Sequence, residues 1–132
     1  MIFKPVLIAK ILEGRKTMTR RPVNGDTPCA YRVGQEYSIQ PGMARPTVAR
    51  ISVNHVSREP LGSIQDDDAY DEGFRDANEF LTYWTDLYGK CDLDQQVWVI
   101  QFDLVRVVAD VCLCCDGKGV TELGTVRWEV PA

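Results

Sequence analysis

The chain has 132 residues, the size of one domain and enough to bury most of its apolar surface, with no room left for a second core. Apolar residues make up 45% and charged residues 26%, which is ordinary globular usage and unlike a disordered or fibrous chain. A net charge of −4 argues against a protein that coats long duplexes through phosphate contacts, and no apolar run approaches the roughly 20 residues of a membrane span.

Pro5 suits the first position of a helix, Leu7, Ile8, Ile11 and Leu12 repeat with helical spacing, and Gly14 stands where a left-handed cap is wanted. A short helix is predicted there. The basic run Arg15-Lys16-Thr17-Met18-Thr19-Arg20-Arg21 follows, too polar for a core element, and Pro22 and Asn24-Gly25 break the chain after it. Residues 36–40 and 47–53 alternate as strands should, with Pro41-Gly42 as a turn between them. Past Pro60 an acidic stretch reads as loop or broken helix. Residues 77–88 place Phe80, Leu81, Trp84, Leu87 and Tyr88 on one helical stripe closed by Gly89, expected to face the core. Residues 96–108, rich in branched and aromatic side chains, read as a central strand. With strands outnumbering helices and no alternation of strand and crossover helix, an α+β domain organised around a small barrel is predicted.

Charge is unevenly spread. Lys4, Lys10, Arg15, Lys16, Arg20 and Arg21 meet one acid, Glu13, whereas residues 66–79 hold Asp66, Asp67, Asp68, Asp71, Glu72, Asp76 and Glu79 against Arg75. A small basic pocket beside an acidic flank accounts for this, and so do two solvated faces.

The run Ile11-Leu12-Glu13-Gly14-Arg15-Lys16-Thr17-Met18-Thr19-Arg20 resembles the signature of ASCH domains, in which a glycine, a lysine two positions on, and a threonine or acid shortly before an arginine follow a short helix. Three stretches resemble the same family in the right order: Val33-Gly34-Gln35-Glu36-Tyr37 before a strand, Glu72-Gly73-Phe74 with Glu79-Phe80 and Trp84 in the middle, and Val97-Trp98-Val99-Ile100-Gln101-Phe102 as a closing strand. The resemblance covers about residues 1–108 of a single domain, 1–132, and implies a PUA-like small β-barrel with flanking helices. It also implies that the loop carrying Lys16 stands at the mouth of a cleft.

Lys16 lies among Arg15, Arg20 and Arg21, and like charges with partial burial lower a lysine pKa from about 10.4 toward the range where it serves as a base. Thr19 offers a hydroxyl that needs such a base to become a nucleophile. Certain small ASCH proteins look like amidohydrolases that deacylate N-acetylated cytidine, and their catalytic positions correspond here to Lys16, Thr19 and Glu72, with Asp71 or Asp68 as alternatives for the acid. That implies a hydrolase needing no metal and no cofactor. The other reading is binding: Arg15, Lys16, Arg20 and Arg21 contact the phosphates of RNA or a nucleotide, or hold a modified nucleoside, with Trp98 or Tyr37 stacking on a base. A protein–protein adaptor is a third.

Five cysteines, three of them crowded at Cys112, Cys114 and Cys115, make no disulfide framework and point to a reducing, cytoplasmic setting. Cys112-Leu-Cys114-Cys115-Asp-Gly117-Lys-Gly119 resembles half of the zinc repeat of DnaJ-type chaperones, yet it supplies two or three of the four ligands that a tetrahedral site needs. The alternative is the glycine-rich turn of a C-terminal hairpin returning over residues 120–130. His55, the only histidine, has no matched partner nearby, and no glycine-rich phosphate loop occurs. Metal analysis of protein purified without chelator is therefore expected to find substoichiometric zinc; a full equivalent would mean that other ligands complete the site.

Overall fold

The computed structural model describes residues 1–108. The cysteine-rich turn and the hairpin expected beyond residue 108 lie outside the described residues. In chain order the elements are helix α1 (Pro5–Leu12), strands β1 (Met18–Pro22), β2 (Glu36–Ile39) and β3 (Ala49–Pro60), helices α2 (Asp66–Glu72) and α3 (Ala77–Tyr88), and strand β4 (Gln96–Val107). No helix among the described residues is long and apolar enough to cross a membrane.

The strands form one antiparallel sheet in the order β1-β4-β3-β2. As the composition of residues 96–108 predicts, β4 is internal, with β1 on one side and β3 on the other. The closed barrel is not present among the described residues. β1 and β2 stand at opposite edges without pairing, and the sheet they bound is open. Two register shifts, at Arg50/Ile51 and Val53/His55, are the irregularities through which a long strand such as β3 bends.

A second expectation fails in an informative way. The basic run, expected to be too polar for a core element, enters the buried sheet: its second half is β1, and Met18, Thr19 and Arg20 are buried. Polarity misled because the acids that neutralise these cations come from β3 and α2, some 40 and 50 residues further on.

Each helix has local reasons for its limits. Pro5 opens α1, and at its exit the N–H groups of Arg15 and Lys16 donate to the Lys10 carbonyl at 3.0 and 3.1 Å. This turns the chain back toward β1. The first turn of α2 carries Asp66, Asp67 and Asp68, favourable at the positive end of the helix dipole, and Gln65 and Asp68 form a reciprocal capping box. Asp76 caps α3 by accepting the Glu79 N–H at 2.9 Å.

The core gathers Leu7, Ile8 and Ile11 of α1, Val97, Val99 and Phe102 of β4, and Phe80 and Trp84 of α3. The aromatic stripe of α3 is only half core, since Leu87 and Tyr88 are exposed. It straddles the core and a pocket.

Gly73 ends α2 at φ +105°, and a Cβ there would meet Lys10 Cδ at 3.2 Å, Leu7 Cδ2 at 3.5 Å and Lys16 Cδ at 3.7 Å. Gly73→Ala is accordingly expected to lower the unfolding free energy by about 1–2 kcal/mol, the cost of a left-handed alanine, as read by urea denaturation. An unchanged midpoint would show that the turn relaxes without strain.

Candidate functional site

α2 runs alongside β1, the edge strand, and the Asp71 carbonyl accepts the Thr17 N–H at 2.8 Å. This contact brings the last residue of α2, Glu72, against the chain leading into β1. Lys16 is 2% exposed, and its ammonium donates to the Glu72 carbonyl at 2.7 Å, the Met18 carbonyl at 2.8 Å and Glu72 Oε1 at 3.2 Å. All three N–H bonds of the ammonium are thereby used. The other carboxylate oxygen, Glu72 Oε2, accepts from Arg20 Nη1 at 2.9 Å. Arg20 Nη2 reaches Glu59 Oε2 at 2.8 Å, and Asp68 lies 3.6 Å away.

One buried carboxylate thus holds two buried cations. Burial pushes the Lys16 ammonium below the ordinary lysine range; Glu72 opposes this by charge and hydrogen bond, while Arg21 and Arg20 add to the lowering. The net direction is downward.

These groups line a cavity of about 330 Å³ together with Thr19, Arg21 and a wall of Phe80, Tyr83, Trp84 and Tyr88 from α3. The size suits a nucleoside-scale ligand. Burial raises the Tyr83 phenol, so it stays protonated. Arg21 stacks over the Phe3 ring at 4.9 Å and donates to the Ile2 carbonyl at 3.2 Å. Its Nε and the Trp84 Nε1 are buried with no protein acceptor, an omission that costs on the order of 1–3 kcal/mol for each such group unless something else accepts from it.

No family model matches the chain, and no curated protein matches it in sequence. Two crystal structures do resemble it in fold. Protein EF3133 from Enterococcus faecalis V583, described by the family model DUF984, superposes with a TM-score of 0.59 and 19% identity over 76% of this chain and 68% of that one. An ASCH domain from Lactobacillus crispatus JV V101 gives a TM-score of 0.57 and 19% identity over 76% of this chain and 71% of that one. The chain has an ASCH fold. At 19% identity the likeness is one of architecture, and the chemistry rests on the residues themselves.

On this ASCH fold, Lys16, Thr19, Glu72, Arg20 and Arg21 share one pocket. Arg15 does not join them: its guanidinium covers the Tyr70 ring at 4.5 Å and donates to the Phe74 carbonyl at 2.9 Å, tying the α1 exit to the joint between α2 and α3. Asp68 stands at the margin of the cluster, beside Arg20, and the position against Lys16 belongs to Glu72. Trp98 lines a separate, smaller cavity with Arg21 and Tyr31 and lies under Arg58 at 5.6 Å. Tyr37 packs edge-on against Tyr31 at 4.9 Å. Reading the sequence missed Trp84 and Tyr83 as pocket residues, because a helical stripe of aromatics looks the same whether it faces a core or a cavity. His55 is exposed on β3, and among the described residues no group of three or more His, Cys, Asp or Glu is placed to hold a metal ion.

Glu72 and Glu59 should differ sharply in their effect on stability. Glu72→Ala leaves two buried cations without their shared partner and is expected to cost about 3–5 kcal/mol. Glu59, whose side chain is 30% exposed, should cost roughly 1 kcal/mol or less as alanine. Chemical denaturation of the two variants measures the difference, and equal losses would mean that the pair with Lys16 contributes nothing beyond a surface bridge.

Proposed function

We propose that this protein is a metal-independent amidohydrolase that removes the acyl group from an N-acylated cytidine bound in the Lys16 pocket. The observation that carries the reading is a lysine stripped of solvent and held by a carboxylate in the same cavity as a threonine, beneath an aromatic wall. Lowering the Lys16 pKa enlarges the neutral fraction near pH 7, and the neutral amine is the form that accepts a proton.

In this reading Lys16 takes the proton of the Thr19 hydroxyl as Oγ1 attacks the acyl carbon. The C–N bond of the amide then breaks, and the proton returns from Lys16 to the departing amino group, leaving the acyl group esterified to Thr19. Water, giving a proton to Lys16 in turn, attacks that ester; the C–O bond to Thr19 breaks, Lys16 returns the proton to Oγ1, and the carboxylic acid leaves. Glu72 holds Lys16 in place through the charge and the hydrogen bond on Oε1. The pyrimidine lies against the rings of α3.

Phosphate binding by the basic run finds less support. Lys16 and Arg20 are buried and donate to Glu72, Glu59 and backbone carbonyls, which leaves Arg21 of that run, with Lys4 from outside it, as the other cations lining the cavity. Binding without turnover is favoured by one observation, the three acceptors around the Lys16 nitrogen, since they stabilise the ammonium.

Hydrolysis of N-acetylcytidine separates these readings. Activity should survive chelator and rise with pH along a limb whose midpoint lies below the ordinary lysine value, because deprotonation makes the base. It should fall roughly 10²–10⁴-fold in Lys16→Ala and in Thr19→Ala. Thr17→Ala, at an exposed position, should behave like the parent. Full activity in Thr19→Ala removes the nucleophile, and a folded parent with no turnover leaves binding as the function.

A further inference from the structure

Inside the pocket the unmatched groups are all donors. The Nε of Arg20, the Nε of Arg21 and the indole Nε1 of Trp84 are buried, and no protein group accepts from them; all three residues line the cavity. The nearby carboxylate is already engaged, since Glu72 accepts from Lys16 on one oxygen and from Arg20 on the other. Trp84 itself is 2% exposed. Its ring plane is fixed by Phe80 and Tyr88, at centroid distances of 6.0 and 4.4 Å, so its N–H points in a set direction.

We infer that Trp84, with Arg21, is the specificity determinant of the pocket, and that the two donors read a ligand edge made of acceptors. The inference rests on the amidohydrolase reading of the same cavity and names what that reading leaves open, the group that recognises the base. An N-acylated cytosine offers acceptors at O2, N3 and the acyl oxygen, beside the single N–H of its amide. Uracil interrupts that edge with an N3–H, a donor facing donors, which leaves both sides without a partner.

The two donors divide the edge by position. Arg21 stands two residues beyond Thr19 on β1, hence on the same side of the strand and about 7 Å along it, which assigns its Nε–H to the acyl oxygen beside the nucleophile. Trp84 belongs to α3, on the other wall, and takes the pyrimidine N3, an acceptor in cytosine and an N–H in uracil. Deacylation removes the acyl oxygen and adds a second N–H to the exocyclic nitrogen, so the product matches the pocket less well than the substrate does. Discrimination against uracil and release of product then follow from one arrangement.

Calorimetric titration of Thr19→Ala protein, which holds substrate without consuming it, with N-acetylcytidine, cytidine and uridine tests this. The order of affinity should follow that sequence. Adding Trp84→Phe, which keeps a ring in the packing and removes the N–H, should weaken N-acetylcytidine binding roughly tenfold, the loss of one good hydrogen bond, and leave uridine unchanged. The Trp84 indole N–H resonance should move downfield when N-acetylcytidine is added, a response that a purely structural tryptophan would not give. If Trp84→Phe does not fold, Arg21→Lys, which keeps the charge and drops the Nε donor, should produce a comparable loss confined to N-acetylcytidine.

Equal binding with and without the indole N–H, or a parent that prefers uridine, overturns the inference. If the unmodified protein turns over N-acetylcytidine while Trp84→Phe performs as well, the inference fails and the proposed function stands. If the preference and its loss appear without turnover, the recognition stands and the chemistry fails. A chain that binds none of the three nucleosides overturns both.

Discussion

A single carboxylate, Glu72, holds the structure around the pocket together by accepting two buried cations on its two oxygens. Removing three charges from water costs several kcal/mol for each ion, and this is offset only where geometry is good and every remaining donor is used. Lys16 meets that condition through the carbonyls of Met18 and Glu72, while Arg20 pairs with Glu59 and Asp68 and keeps only its Nε without a protein acceptor. Much of the surrounding architecture follows. α2 has to stop at residue 72, a glycine has to follow in the left-handed region, and β1 has to lie at a sheet edge where a helix end can approach it.

The edge position of β1 serves both fold and site. An internal strand has neighbours on both sides, whereas β1 pairs only with β4 and leaves its other side to α2. An uncovered edge would invite pairing with another chain, and α2 together with the chain leading from α1 occupies that place. The cations of the basic run consequently take different parts. Arg15 fastens the joint between α2 and α3, Arg20 is neutralised by acids from two elements, and Arg21 lines the cavity with a buried Nε that no protein group accepts from.

Much of the fold could be read from local patterns. Residues 96–108 had the branched and aromatic density of a central strand, and residues 77–88 had both the stripe and the closing glycine of α3. What could not be read was anything decided by a distant partner. Residues 15–21 looked too polar for a core element because their neutralising acids lie some 40 to 50 residues downstream, and no local window contains them. The sheet was expected to close, but edge pairing depends on strand placement that alternation does not encode. Lys16, Thr19 and Glu72 were singled out through a family resemblance as much as through their chemistry. Trp84 escaped notice since periodicity reports the buried face of a helix and says nothing of a hollow within it.

The hydrogen bond from Lys16 to the Glu72 carbonyl spans 56 residues, and that separation has a meaning in time. At the usual pace of synthesis, about 5–20 residues per second, the acid leaves the ribosome roughly 3–11 s after the lysine. During that interval Lys16 is an ordinary hydrated cation with a proton it does not readily give up. The buried lysine with its lowered pKa is therefore a product of long-range closure, and a nascent copy that has not yet reached Glu72 carries the residue in its hydrated form.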